Sequence, residues 1–201
     1  MTDLSLRDRK KHQTRTALVE AARALFAQRG FDGVTVDEIA ASADVSPRTF
    51  FRYFGSKEAV LYGDQDEMLD LLREALASRP SDEPPLDALR TALIVITEHY
   101  AEHREDHLIR ARLARTGAAV AAYQRTVLQP RWEDVLAEAI AERLGVDESV
   151  DPRPRLLAGV AIAVMTAAGT LWLASNGESD LITLLDEASE ALREAVAQSR
   201  L

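Results

Sequence analysis

Between Thr35 and Lys57 the chain TVDEIAASADVSPRTFFRYFGSK offers three helix starts within 23 residues. Thr35, with Glu38 three positions on, has the capping-box spacing. Val36, Ile39, Ala40 and Ala43 recur at helical spacing, so a short helix is predicted over 36–43 with one buried stripe. Asp44 and Val45 turn the chain. Ser46 then caps a second helix whose first position is Pro47, where a missing N–H costs nothing. Phe50 and Phe54, four apart, point to the core, while Arg48, Thr49, Phe51, Arg52 and Tyr53 cover the remaining surface. Gly55 ends that helix, Ser56 caps a third, and Lys57 lies in its first turn.

Two short capped helices across a tight turn make the helix-turn-helix shape, whose second helix enters the major groove of DNA. Arg48 and Arg52, one turn apart, have the forked donors that pair with guanine, and Thr49 offers a hydroxyl and a methyl. Phe51 suits a thymine methyl or a sugar. Thr35, Tyr53 and Lys57 are placed to hold phosphates, which fixes register without reading sequence. A lysine opening a helix opposes the helix dipole, and a nearby phosphate is one reason to put it there. The plain alternative is a small helical subdomain with solvated arginines.

The motif resembles the TetR family of bacterial transcriptional regulators. The resemblance rests on Gly30-Phe31, Thr35-Val36, Ile39-Ala40, Val45-Ser46, the run Thr49-Phe50-Phe51-Arg52-Tyr53-Phe54, and Ser56-Lys57-Glu58. It covers about the first 60 residues. It implies an all-α protein of about nine helices: a three-helix DNA-binding domain over 1–58, and a helical ligand-binding and dimerisation domain over 59–201. It further implies a homodimer on a palindromic, double-stranded operator, most often as a repressor, with a small-molecule effector.

Net charge is −9, which by itself argues against nucleic acid. Its distribution reverses that reading: residues 1–60 sum to +2 and the remainder to −11, the asymmetry of a DNA-binding head on a body that stays off DNA. The absence of cysteine excludes disulfides and thiolate chemistry and fits a reducing compartment. No apolar run follows the charged N-terminus, so a cytoplasmic location is expected.

Residues 1–5 read as an arm, and Ser5 with Asp8 as a capping box for a helix over 6–29. Its start holds Arg9, Lys10, Lys11 and Arg15, which in a DNA-binding head meet the phosphate backbone. Gly30 is the left-handed terminator and Phe31 folds back on the helix. One long helix is predicted over 57–77, a loop over 79–85, helices over 86–103 and 106–115, and a segment over 118–144 broken near Gln129 by Pro130.

Residues 156–174 carry no charge, which by length alone allows a membrane span. Their Ala, Gly and Thr content and the lack of a second span argue instead for a helix buried on all sides. Gly159, Ala163 and Ala167 form a small-residue stripe on it. The last helix, over 181–198, shows Leu181, Leu185 and Leu192 on one face. These two helices are expected to join a second copy in a four-helix, two-fold interface through those six residues. Burial within a monomer is the rival reading.

An apolar effector pocket is expected among Met68, Leu72, Ile94, Leu113, Tyr123, Trp132, Met165 and Trp172, each of which also reads as plain core. The stretches WEDVLAEAIAERLGV and RPRLLAGVAIAV and the terminal LLDEA resemble an actinobacterial subgroup of the family that includes the acyl-CoA-responsive mycofactocin-system regulator. That resemblance implies an acyl-CoA effector, with Arg110, Arg112 or Arg115 meeting a phosphate, while Pro130 departs from a continuous helix there.

His99, His103 and His107 are spaced by four, which can chelate a metal on an unbroken helix. Arg104 suggests a boundary that splays His107 away, and TEHYAEHREDH reads as an exposed face, so no metal site is expected. No phosphate loop, nucleophile elbow or carboxylate pair stands out; neither enzymatic activity nor a cofactor is expected. The alternative is a helical dimeric adaptor or enzyme with a vestigial DNA-binding head.

Overall fold

The computed structural model describes Leu6 to Gln198, with side chains from Arg9 onward. The expected arm over 1–5 and the Ser5–Asp8 box lie outside the described residues. Within them the chain is all-helical: α1 (Leu6–Arg29), α2 (Val36–Ser42), α3 (Pro47–Tyr53), α4 (Lys57–Leu61), α5 (Gln65–Ala77), α6 (Pro85–Glu102), α7 (Arg104–Thr116), α8 (Ala118–Tyr123), a π-helical turn (Gln124–Leu128), α9 (Gln129–Leu144), α10 (Arg153–Ala174) and α11 (Leu181–Gln198). The count exceeds the expected nine because the segment over 57–77 is two helices and the broken segment over 118–144 counts as two.

Two compact units emerge. The first runs to Gln65 and also takes in Ile109–Tyr123; the second comprises Asp66–Leu108 with Gln124–Leu201. The division at 58 expected from sequence therefore differs from the spatial one, which keeps α4 with the head and adds the second half of α7 and all of α8.

The first unit closes over Leu18, Ala22 and Phe26 of α1, Phe31, Val34, Ile39, Phe50 and Phe54. α1 ends as expected: Gly30 takes φ 71°, its N–H donates to Phe26 O at 2.9 Å, and Phe31 packs on Phe26 with ring centroids 5.1 Å apart. Thr35 and Glu38 form the capping box. The turn is made by Asp44 at φ 54°, a left-handed position that a short polar side chain tolerates. The chain leaves α3 at Phe54, one residue before Gly55, because Phe54 is extended (φ −132°, ψ 122°).

The predicted long helix over 57–77 is two helices. The break falls at Gly63, where a Cβ would lie 2.4 Å from Val19 Cγ2, so α1 approaches the backbone itself. Arg15 donates from Nε (3.1 Å) and from its terminal nitrogen (2.7 Å) to Gly63 O and lies 4.8 Å from the Phe54 ring centre. These contacts hold the bend, so Arg15, expected at a phosphate, is committed within the head. α4 packs on α8, with Tyr62 stacked on Tyr123 at 5.9 Å.

The second unit is built on Met68, Leu72, Leu93, Ile96, Leu136, Ile140, Ala161, Ala168, Trp172, Leu181 and Leu185. α10 packs against α9, α11 and α6. The loop over 79–85 is ordered by Arg143, which donates to Pro80 O and, at 2.7 Å, to Glu83 O, and by a two-point Arg79–Glu83 pair at 2.8 Å. Pro130 breaks the segment near Gln129 as expected, but through a π turn that passes directly into α9.

α10 is long and apolar enough to cross a membrane by length and composition, yet Ala158, Ala161, Val164, Ala168 and Trp172 are buried in the core of this unit. It is not buried on all sides as its composition suggested. Leu156 is 66% and Leu171 53% exposed, and Ala163, Thr166, Ala167 and Thr170 are exposed between them.

Glu38 supplies a pH test of the head. The Arg29 guanidinium, then the Thr35 N–H and hydroxyl, hold its carboxylate at about 2 against an ordinary 4.5. The folded value lies below the unfolded one, so this stabilisation is present above pH 4.5 and is lost as pH falls towards 2. Glu38→Gln should lower head stability at pH 7 and flatten its acid dependence between those values, as read by urea unfolding at a series of pH values.

Candidate nucleic-acid interface

α3 is a seven-residue helix held at both ends. Ser46 Oγ accepts the Thr49 N–H at 3.1 Å, and Pro47 opens the first turn. Phe50 is fully buried and anchors the helix through edge contact with Phe51 (5.4 Å) and a tilted contact with Phe54 (5.7 Å). Truncating a phenylalanine in such a site costs about 3–5 kcal/mol. The opposite face presents Pro47, Arg48 and Arg52, all exposed, with Phe51 54% exposed beside them.

The individual side chains differ in readiness. Arg48 is exposed. Arg52 lies 5.4 Å from the Tyr53 ring centre, which orients its guanidinium before any ligand arrives. Tyr53 is half-buried. The Thr49 hydroxyl is shared with Ser46 Oγ at 3.0 Å, so one of its hydrogen-bonding directions is already used.

Two of the expected phosphate ligands are taken. Lys57 Nζ donates to Phe31 O and to Val34 O, both at 2.9 Å, and sits 4.1 Å from the Phe31 ring centre. A lysine opening α4 is thus explained by backbone carbonyls of the α1–α2 connection rather than by a phosphate. The Thr35 hydroxyl donates to Glu38 Oε2 at 2.9 Å, and its N–H donates to the same oxygen at 2.8 Å. Phosphate oxygens only accept, so Thr35 has no donor left for one. These groups shape the head; among the described side chains of α1, Arg9, Lys10 and Lys11 are exposed.

The remaining expected sites divide. Met68, Leu72 and Trp172 are core residues of the second unit, with Ile94, Trp132 and Met165 packed against them. Leu113 and Tyr123 belong to the first unit, and Tyr123 is the residue stacked on Tyr62. Arg110, expected at an effector phosphate, is 8% exposed and makes a two-point pair with Asp64 at 2.9 and 2.7 Å. Arg112 and Arg115 are exposed. Gly159, Ala163 and Ala167 line a shallow groove of about 610 Å³ along α10 with Ile162, Thr166 and Leu171. Leu181 and Leu185, expected to face a second copy, are 3% and 0% exposed within their own core, and Leu192 packs on that core too. The apolar stripe on α11 packs on α6 and α10 of the same chain.

The histidines also depart from expectation. α6 does end before Arg104, but His107 is not splayed away: its ring centre is 6.0 Å from that of His99 and 3.8 Å from that of Tyr100.

Residues 18–62 match the family model for bacterial regulatory proteins of the tetR family, and residues 83–197 match the MftR C-terminal domain. The chain belongs to the TetR family. Among TetR-family relatives, it is 34% identical over 198 residues to the HTH-type transcriptional regulator TcmR of Streptomyces glaucescens, covering 94% of this chain and 86% of that protein. It is 32% identical over 171 residues to the MftR regulator of Mycobacterium tuberculosis, covering 85% of each. Among solved structures it is similar to the TetR-family repressor FadR of Thermus thermophilus, determined with lauroyl-CoA, at a TM-score of 0.56 and 28% identity over 90% of this chain and 93% of that one. The chain is thus a transcriptional regulator of this family, with the two-part helical organisation expected from sequence.

The division of labour in the head separates two substitutions. Arg48→Ala should weaken operator binding by about 1–3 kcal/mol and relax base preference at one position, with folding unchanged. Lys57→Met, which strips two carbonyls of a charged donor, should lower unfolding free energy by about 1.5–3 kcal/mol per such bond at most. Fluorescence anisotropy on single-base operator variants and urea denaturation distinguish the two.

Proposed function

We propose that the protein is a homodimeric repressor that leaves a palindromic operator when it binds a fatty acyl-CoA. The observation that carries the DNA reading is α3: a capped helix anchored by Phe50, with Arg48, Phe51 and Arg52 turned outward. In this reading Arg48, Thr49 and Arg52 meet base edges, Phe51 meets a thymine methyl or sugar, and Pro47 lets the helix start close to the duplex. Tyr53, Arg9, Lys10 and Lys11 take phosphates. Two copies of α3 then enter successive major grooves about 34–36 Å apart. The protein acts by binding rather than catalysis, in the cytoplasm where its operator lies.

Dimerisation is supported by the exposed apolar face of α10. Gly159, Ala163 and Ala167 allow a second helix to approach closely, and Leu156, Ile162 and Leu171 provide area to bury. TetR-family regulators bind operators as dimers, and this exposed face has the small-residue stripe that suits close packing of a second copy. Leu181 and Leu185 play no part in it. Ala167→Glu should give a monomer by light scattering and abolish operator binding while the chain still folds.

For the effector, support comes from FadR of Thermus thermophilus, whose structure holds lauroyl-CoA, and from the match to the MftR C-terminal domain. The apolar lining falls to Met68, Leu72, Ile94, Trp132, Met165 and Trp172 of the second unit. An acyl chain releases DNA only by binding the non-operator form better than the operator form.

The test is anisotropy of a duplex selected in vitro by the purified protein. Affinity should fall with salt at a log–log slope of about −0.9 per phosphate neutralised. Lauroyl-CoA should release the duplex, whereas free CoA and laurate should not, and Ile94→Trp should weaken the acyl-CoA response without altering DNA affinity. Absence of duplex retention at low salt would favour an adaptor over a repressor; retention that no acyl-CoA reverses would remove the effector assignment alone.

A further inference from the structure

We propose that the last turn of α6 is a binding site for a divalent transition metal, with the imidazoles of His99 and His103 and the carboxylate of Glu102 as its protein ligands. The three occupy positions i, i+4 and i+3 of one helix, so they share a face. One ligand atom from each lies within 4.8 Å of the others. The two imidazoles are stacked, with centroids 4.2 Å apart and planes 26° from parallel. The two rings thus stand side by side on one helical face.

Tautomer state supports the same assignment. His103 Nδ1 lies 3.0 Å from His99 O. A carbonyl oxygen only accepts, so Nδ1 carries the proton and the Nε2 lone pair is the one available to a metal. Ligating histidines use a backbone carbonyl in this way to fix ring orientation and raise basicity. His103 is also the residue that caps α6 (φ −108°, ψ 34°), and it is exposed, as is Glu102, so water can complete the coordination shell. Arg104, the nearest cation in sequence, directs its guanidinium to Asn176 O at 2.5 Å instead of to the cluster.

The pattern His99-Tyr100-Ala101-Glu102-His103 has the His-x-x-Glu-His spacing with which some zinc peptidases present two imidazoles to their metal. Here it stands on an exposed helix end, and the inference is of binding alone. Two nitrogens and one oxygen suit Zn²⁺, Co²⁺, Ni²⁺ or Cu²⁺ rather than Mg²⁺ or Ca²⁺, which favour all-oxygen shells. Bond lengths of about 2.0–2.2 Å require the donors to draw closer than they now lie, and the exposed side chains of Glu102 and His103 have room to do so. A bound ion would tie the final turn of α6 to its capping residue, at the junction that Arg104 fastens to Asn176.

The experiment uses tag-free, chelator-treated full-length protein titrated with ZnCl₂ by calorimetry and with CoCl₂ by visible absorption. One Zn²⁺ per chain is expected, together with Co²⁺ bands of a nitrogen–oxygen site. His103→Ala should weaken Zn²⁺ binding by at least about tenfold, the range seen when a ligand's support is lost, and Glu102→Gln should weaken it less. His12→Ala should leave it unchanged. Thermal melting of the metal-free variants should match the parent, since both substituted residues are exposed. The assignment is overturned if the parent binds no Zn²⁺, if His103→Ala binds it as tightly as the parent, or if His107→Ala abolishes binding while His103→Ala does not.

Discussion

A half-buried ammonium group must find acceptors, and the head is arranged around the pair that Lys57 finds. Phe31 O, which also takes the Val34 N–H at 3.4 Å, and Val34 O stand where α1 ends and α2 has not begun. Backbone oxygens at such a junction have no helical partner of their own. By donating to both, Lys57 closes the connection and fixes the start of α4 against it. Phe31 lies under the same ammonium and packs on Phe26, so one charge ties α1, the loop and α4 together. α3 sits between these fixed points, held by Phe50 in the core and by Ser46 at its start. Its exposed face inherits a definite direction from groups that never touch a ligand.

The consequence is a sorting of polar groups by what they can still donate. Thr35 and Lys57 are spent on internal carboxylate and carbonyl oxygens, and Arg15 is spent on Gly63. Arg48 and Arg52 keep their forks outward. A phosphate contact is a matter of position and charge, whereas a base contact needs a rigid support and a planar donor. Under the proposed function, exposed Arg9, Lys10 and Lys11 suit the first and the arginines of α3 the second.

Much of this was legible from the residues because it is local. Capping by Thr35, Ser46 and Ser56 and the left-handed turn at Gly30 depend on a few neighbouring positions, and all appear where expected. What escaped depends on distance along the chain. Lys57's acceptors lie 26 and 23 residues away and are backbone atoms, which no side-chain pattern marks. Gly63 is an unremarkable glycine in a helical pattern until Val19 is set beside it. Leu181 and Leu185 form a clean apolar stripe, but periodicity states only that a stripe is covered, not by which chain. His107 was expected to swing away because a helix boundary intervenes; α7 starts so promptly after His103 that its first turn brings His107 back beside His99.

α10 combines opposite demands on one helix. Its core side needs volume and shape, and Val164 and Trp172 supply them. Its outer side carries Gly, Ala and Thr, residues that bury little area themselves and so contribute little by hydrophobic transfer. What small residues gain is proximity: backbones can draw close, and dispersion contacts multiply over the length of the helix. The π turn over Gln124–Leu128 belongs to the same problem. Gln129, just beyond it, lines the α10 groove, and Pro130 follows with no N–H to give. A regular α-helical turn would lose a hydrogen bond at Pro130 and clash with the preceding turn. Widening that turn admits the proline without ending the helix, and it resets the phase so that Leu128, Val135 and Leu136 are buried while Val127 stays 44% exposed. The π turn and Pro130 thus stand where α9 begins, with Gln129 beside the α10 groove.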